Sequence, residues 1–248
     1  MEQFRSILPR LYELKDCVKD PNSPDAYFQN FDEKLAIPHV RDSYLRSEWV
    51  LRELDSAAWE DLKKEAIPYL EKRNKKRSGW EQLFAILNQA RAYRHLKAIG
   101  CTNLRFIPRS NKQKTPDIEG EFGMDRVVCE VKTINPSNGE IAALNGPPIA
   151  RSLPMELAPE FLMKVRATIE QAGQQLSAYD RDGRAIHFAY LNISFDDFFA
   201  ECKGQYFQLI DACLADAPVP GIRLVICNDY TAFYRPIQML NATVDNIG

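Results

Sequence analysis

The chain has 248 residues, 45% of them hydrophobic and 27% charged, with a formal net charge of −2. That length can bury a sizeable core, as one domain with an appendage or as two small domains. No run of about 18 apolar residues occurs, which excludes a membrane-spanning helix, and Met1-Glu-Gln-Phe-Arg5 lacks the basic-then-apolar layout of a secretory signal. Cys17, Cys101, Cys129, Cys202, Cys213 and Cys227 are scattered, with no C-x-x-C pair. A zinc site and a disulfide framework are therefore not expected, and a reducing cytoplasm is the expected compartment.

Charge is unevenly spread. Between Lys63 and Lys114 there are fourteen Lys or Arg residues against three acids, Glu65, Glu71 and Glu81, so this segment carries +11 and the remainder −13. Such a distribution fits a basic face that meets a polyanion, and it equally fits a set of solvated helix faces.

In chain order, Phe4, Ile7, Leu8, Leu11 and Leu14 recur at helical spacing and predict a helix over 1–20, stopped by Pro21-Asn-Ser-Pro24. A second helical pattern runs from Asp42 to about Asn74, with Pro68 separating two pieces or marking a first turn. Tyr44, Trp49 and Trp59 read as core aromatics. Lys72-Arg-Asn-Lys-Lys-Arg77 forms a basic linker. Ser78 with Glu81 three residues on is a capping-box pattern, opening a helix with Trp80, Leu83, Phe84 and Leu87 on one stripe and Gly100 at its C-terminal end.

The hydrophobic period then changes. Leu104–Ile107, Ile118–Phe122 and Val127–Ile134 read as strands, the last two joined by Gly123-Met-Asp125. A Pro/Gly/Asn-rich loop over 135–159 leads to a helix from about Glu160 to Tyr179. Ala185–Ile193 reads as a strand, Phe198–Leu214 as a helix and Ile222–Cys227 as a strand. The expected fold is α/β, a mixed central β-sheet with helices on both faces. The expected units are a helical N-terminal region, 1–77, and a sheet-bearing domain, 78–248.

The chemistry concentrates in Thr115-Pro-Asp-Ile118 and Cys129-Glu-Val-Lys132. Along Val127–Ile134 side chains alternate, so Val128, Glu130 and Lys132 share one face and Val127, Cys129 and Val131 the other. A neighbouring strand brings Asp117 towards Glu130. Two adjacent carboxylates repel unless a proton or a metal compensates. Hard oxygen ligands suit Mg²⁺ or Mn²⁺, with the Val131 carbonyl as a further ligand and Lys132 holding a water or balancing charge. Such a centre attacks phosphodiesters. Glu119 and Glu121 share the Asp117 face and read as solvated acids. Arg105, Arg109, Lys112 and Lys114 precede Asp117, and phosphate contact there would displace counterions. His39, His95 and His187 show no ligand spacing and read as surface or core residues. A bare E-x-K also describes a same-face ion pair on a half-exposed strand. Glu13-Leu-Lys15 and Glu201-Cys-Lys203 repeat it, but on helical patterns where that geometry fails.

Asp117, Glu130 and Lys132, preceded by an acid-bearing helix, resemble the motif of the PD-(D/E)xK nuclease superfamily, over about residues 78–230. The resemblance implies a restriction-endonuclease-like fold in which Asp117 and Glu130 bind metal and Lys132 assists the nucleophile. It also implies that Glu81 completes the metal site, although Glu81 is equally the capping-box residue. Gln175-Leu-Ser-Ala-Tyr179 resembles the Q-x-x-x-Y element of RecB-like nucleases, and Gln171 lies one turn earlier on the same face. These side chains would contact the phosphate or the nucleic-acid backbone. The implied activity is Mg²⁺- or Mn²⁺-dependent hydrolysis of nucleic acid, DNA ahead of RNA, with a homodimer favoured for double-strand cutting and no membrane partner. Two other functions fit the same residues: a nuclease-like module that binds nucleic acid without cutting it, and an interaction role for the N-terminal helices on a scaffolding sheet.

Overall fold

Pro9 decides the first turn of the chain. It has no N–H to continue a helix, so the computed structural model has two short helices, α1 (Glu2–Ile7) and α2 (Pro9–Asp16), where the sequence pattern predicts one. The structure describes residues 2–73, 80–109, 114–134, 159–193, 203–215 and 219–228. Ser78 and Lys112, and the segments 135–158 and 194–202, therefore lie outside the described residues. The chain divides into two units, Met1–Phe106 and Ile107–Gly248. The boundary expected at 77/78 falls inside the first of them.

The first unit continues with α3 (Phe31–Lys34), α4 (Pro38–Arg52), α5 (Ser56–Ala66), a 3₁₀ turn (Ile67–Tyr69), α6 (Glu81–Ala98) and β1 (Thr102–Phe106). The single helical stretch predicted over 42–74 is cut at Asp55, not only at Pro68. Asp55 is an N-cap whose carboxylate accepts the Ala58 N–H at 2.9 Å, an interaction offered only at a helix start. The other oxygen of Asp55 accepts from the Tyr93 hydroxyl at 2.7 Å, which fastens α5 to α6. Helix α6 has Trp80 at its N-cap position. It closes at Gly100 (φ 94°), with Cys101 N–H donating to the Leu96 carbonyl at 2.9 Å, the six-to-one bond that a left-handed glycine permits. Its buried stripe is Leu83, Ile86, Ala90 and Tyr93.

Tyr12, Tyr27, Phe28, Phe31 and Tyr44 meet edge to face in the core of this unit, the arrangement that ring quadrupoles favour. Trp59 is fully buried, but Trp49 is 52% exposed. Trp49 was expected inside; instead it carries the Arg94 guanidinium 3.4 Å from its ring centroid. Of the basic segment, Lys63 pairs with Glu13 and Glu60, and Lys97 with Glu53.

The strands form a five-stranded mixed sheet in chain order, β1-β2-β3-β4-β5. The second unit holds β2 (Ile118–Phe122), β3 (Asp125–Ile134), α7 (Pro159–Tyr179), β4 (Ile186–Ile193), α8 (Lys203–Ala215) and β5 (Ile222–Asn228). Strands β2 and β3 are an antiparallel hairpin with Phe122 opposite Asp125. Of its two loop residues only Gly123 has positive φ, 63°, as a type II′ turn requires at its first position. Strands β3, β4 and β5 are parallel. Because that order advances in one direction, both helical crossovers fall on the same face. Val165, Ile169 and Ala172 of α7 and Tyr206, Ile210 and Leu214 of α8 pack there on Ile134, Ala189, Leu191, Ile193, Leu224 and Ile226. Gly173 lets α7 approach closely: a Cβ at that position would stand 2.5 Å from Ile222 Cδ1.

Candidate functional site

The parallel register places Glu130 beside Ala189 and Lys132 beside Leu191. Glu130 and Lys132 therefore sit on the α7 face, as the strand alternation predicts, at the margin of its apolar layer. Glu130 is only 3% exposed. A carboxylate so enclosed needs partners for both oxygens, and it has them. Lys132 Nζ donates to Oε1 at 2.6 Å and Gln175 Nε2 donates to Oε2 at 2.8 Å.

Asp117 joins this face from the residue before β2. Its backbone is fixed on both sides, its N–H donating to the Cys129 carbonyl at 3.0 Å and its carbonyl accepting from Ile107 at 2.9 Å. Pro116 offers no N–H to extend the ladder. At that point the Asp117 side chain substitutes for the strand, Oδ2 accepting the Val131 N–H at 2.7 Å. Val131 thus enters the site through its amide. Pro-Asp at this position ends the hairpin and aims a carboxylate at Glu130.

The charges of the two acids act on each other. Enclosure, and then the charge of Glu130, push the Asp117 carboxyl up to about 8, against the Val131 N–H and the charges of Lys132 and Arg109. Enclosure likewise raises Glu130, opposed by Lys132, Arg109 and Lys114. With its carboxyl raised this far, Asp117 favours its protonated form at neutral pH unless a cation compensates the charge.

Gln175 organises the centre from α7. Its Nε2 donates both to Glu130 and to the Thr115 carbonyl at 2.7 Å, and its Oε1 accepts from Lys132 at 3.4 Å. The sequence assigned this amide to phosphate or nucleic-acid backbone; in the fold it ties the Thr115-Pro-Asp117 segment to the acids instead. Tyr179, four residues on, lies beside Arg126, whose guanidinium is 5.2 Å from its ring centroid. Arg126 in turn pairs with Glu119 at 2.9 Å, so Glu119 is an ion-pair member and Glu121 is exposed. Tyr179 therefore belongs to a neighbouring cluster. Gln171 and Lys114 are exposed, and the charge of Arg109 is felt at both acids. Glu81 opens α6 in the other unit.

His187 was expected to be an ordinary surface or core residue. It forms a bond of 2.9 Å with Asp180, which also accepts the Ala185 N–H at 3.0 Å. Asp180-Arg-Asp-Gly183 turns there with Gly183 at φ 64°. The signal was in the sequence, a turn aspartate followed by a histidine at the start of a strand.

Among the described residues no group of three or more His, Cys, Asp and Glu side chains is arranged to hold a metal ion. The donor set is instead the two carboxylates of Asp117 and Glu130. That set fits Mg²⁺, which is commonly held by one or two carboxylates and completed by waters and phosphate. No protein-family model matches the chain, and neither does any curated protein or solved structure. No described helix is long and apolar enough to cross a membrane.

Proposed function

We propose that the chain is a metal-dependent nuclease of the PD-(D/E)xK type, hydrolysing phosphodiester bonds in nucleic acid, DNA first, on a restriction-endonuclease-like sheet in the cytoplasm. The observation that carries this reading is the convergence of Asp117, Glu130 and Lys132 on one face, with the two acids repelling each other and Lys132 Nζ 2.6 Å from Glu130. Asp117, Glu130 and the Val131 carbonyl would hold Mg²⁺ or Mn²⁺. When bound, the ion supplies a water of lowered pKa and offsets charge developing on phosphorus. The Lys132 ammonium orients the attacking water and balances the added negative charge. Gln175 keeps Glu130 and the Thr115–Asp117 segment in register while this happens. Arg109 and Lys114 hold the incoming phosphates.

The test is cleavage of labelled DNA by the full chain with Mg²⁺ or Mn²⁺. Lys132→Ala and Asp117→Ala are expected to lower the rate by about 10²–10⁴-fold, with the thermal transition retained. Undiminished cutting by both variants rejects the assignment.

One observation favours a second reading, a nuclease-like module that binds without cutting. Both oxygens of Glu130 are already engaged, by Lys132 and Gln175. In that case calorimetric titration with Mn²⁺ gives no heat while nucleic-acid binding persists. Cutting of both strands of a duplex by a single such centre would favour a homodimer.

A further inference from the structure

Next to the centre, in the same unit, α7 and the residues around it enclose a cleft of about 350 Å³ lined by Lys114, Gln171, Gln174, Gln175, Ala178 and Arg181. Every polar lining group except Gln175 faces it uncommitted: among the described residues Lys114, Gln171, Gln174 and Arg181 make no hydrogen bond or ion pair. No acid lines it. Gln171, Gln174 and Ala178 recur at spacings of three and four on α7 and build one wall, and Arg181 extends it from the turn that follows the helix. Lys114 stands two residues before Pro116 and supplies a cation at the cleft; its charge already reaches Glu130.

The chemistry of this lining is specific. Two cations with no acid select a polyanion. Amide side chains present both donors and acceptors and match the Watson–Crick edges of unpaired bases, the edges that a duplex keeps turned inward. The volume is that of a small-molecule pocket, room for a nucleotide unit. Ala178, without a long side chain, keeps the wall open between Gln174 and Arg181. The cleft adjoins Gln175, the residue that grips Glu130.

We propose that this cleft is a strand-binding subsite for single-stranded nucleic acid, with Arg181 and Lys114 on phosphates and Gln171 and Gln174 on the bases. Arg181 and Gln174 are binding residues that the sequence motifs do not identify. The proposal rests on the hydrolase reading for its substrate class. Its test does not depend on turnover.

Binding of a fluorescent single-stranded oligonucleotide is measured by anisotropy in the Lys132→Ala background, without divalent metal, over a range of salt. Arg181→Ala and Lys114→Ala should each weaken binding and flatten the dependence of log Kd on log salt by about 0.7, and together by about 1.4. Gln174→Ala should weaken binding at every salt concentration and leave the slope unchanged, and it should not affect competition by inorganic polyphosphate. Arg184→Ala is the control, because Arg184 is 86% exposed and lies outside the cleft; its slope should equal that of the parent. All these positions but Lys114 lie at or beyond the exposed side of α7, and retained thermal transitions verify folding. An unchanged slope in the Lys114/Arg181 double variant overturns the proposal, as does an equal effect of Arg184→Ala. Loss of slope without any metal-dependent cutting by the native chain would remove the hydrolase reading and leave the cleft. Cutting with unaltered binding by the cleft variants would do the reverse.

Discussion

Asp117 is the residue on which the candidate centre turns. Its carboxyl titrates near 8 in the folded chain because it is enclosed beside Glu130, against about 3.9 when unfolded. Between those values the folded state binds more protons than the unfolded state, so stability falls as pH rises from about 4 through about 8 and is flat above. Glu130 is raised too and acts in the same sense. Asp117→Asn cannot titrate and keeps an acceptor for the Val131 N–H. Its melting temperature relative to the parent, measured in chelator, should therefore climb between pH 5 and pH 8. A difference that does not vary with pH would show that the Asp117 carboxyl is not raised in the folded chain. His95 opposes this trend in the other unit. Burial lowers its pKa to about 4, so its contribution is lost as pH falls from about 6.5 through 4.

At the scale of elements, one turn of α4 holds both ends of the break that Pro9 opens between α1 and α2. Glu48, 2% exposed, accepts the N–H groups of Arg10 at 3.1 Å and Leu11 at 2.9 Å, the second and third residues of α2. Arg52, one turn on, donates to Glu48 at 3.1 Å and to the Ile7 carbonyl at 2.9 Å, at the end of α1. An anion thus meets the positive end of one helix and a cation the negative end of another. Glu48→Ala leaves one buried and one part-buried N–H and an arginine without their acceptor. It should cost about 2–4 kcal/mol in urea denaturation, whereas Arg52→Ala, whose side chain is half-exposed, should cost less. Equal and negligible effects would mean that Pro9 alone sets the break.

For the whole molecule, the grouping of α6 and β1 with the helical unit changes what a truncation can test. Tyr93 joins α6 to Asp55, the Trp80 indole donates to the Asp25 carbonyl at 3.0 Å, and Lys97 reaches Glu53. Removing residues 1–77 therefore strips Leu83, Ile86, Ala90 and Tyr93 of their cover and exposes an apolar helix face. Such a fragment should elute as aggregate in size-exclusion chromatography. A monodisperse, folded fragment would show instead that the sheet domain begins at 78.

Much of the layout was legible in the amino-acid order, because the controlling interactions are local. The change of hydrophobic period marked the strands, Gly100 and Gly123 marked backbone that only glycine adopts cheaply, and alternation put Glu130 and Lys132 on one face. Pro-Asp followed at hairpin distance by Glu-x-Lys was enough to nominate the centre. Tertiary contacts decided the rest, since they join residues that no spacing relates. The capping role of Asp55, the grip of Glu48 on a helix 37 and 38 residues away, and the exposure of Trp49 depend on which surfaces meet. So does Gln175, which a linear motif presents as a ligand for substrate but which reaches Thr115 across 60 residues and Glu130 across 45. Sequence periodicity sets which way a side chain points along its own element; only packing sets what stands opposite it.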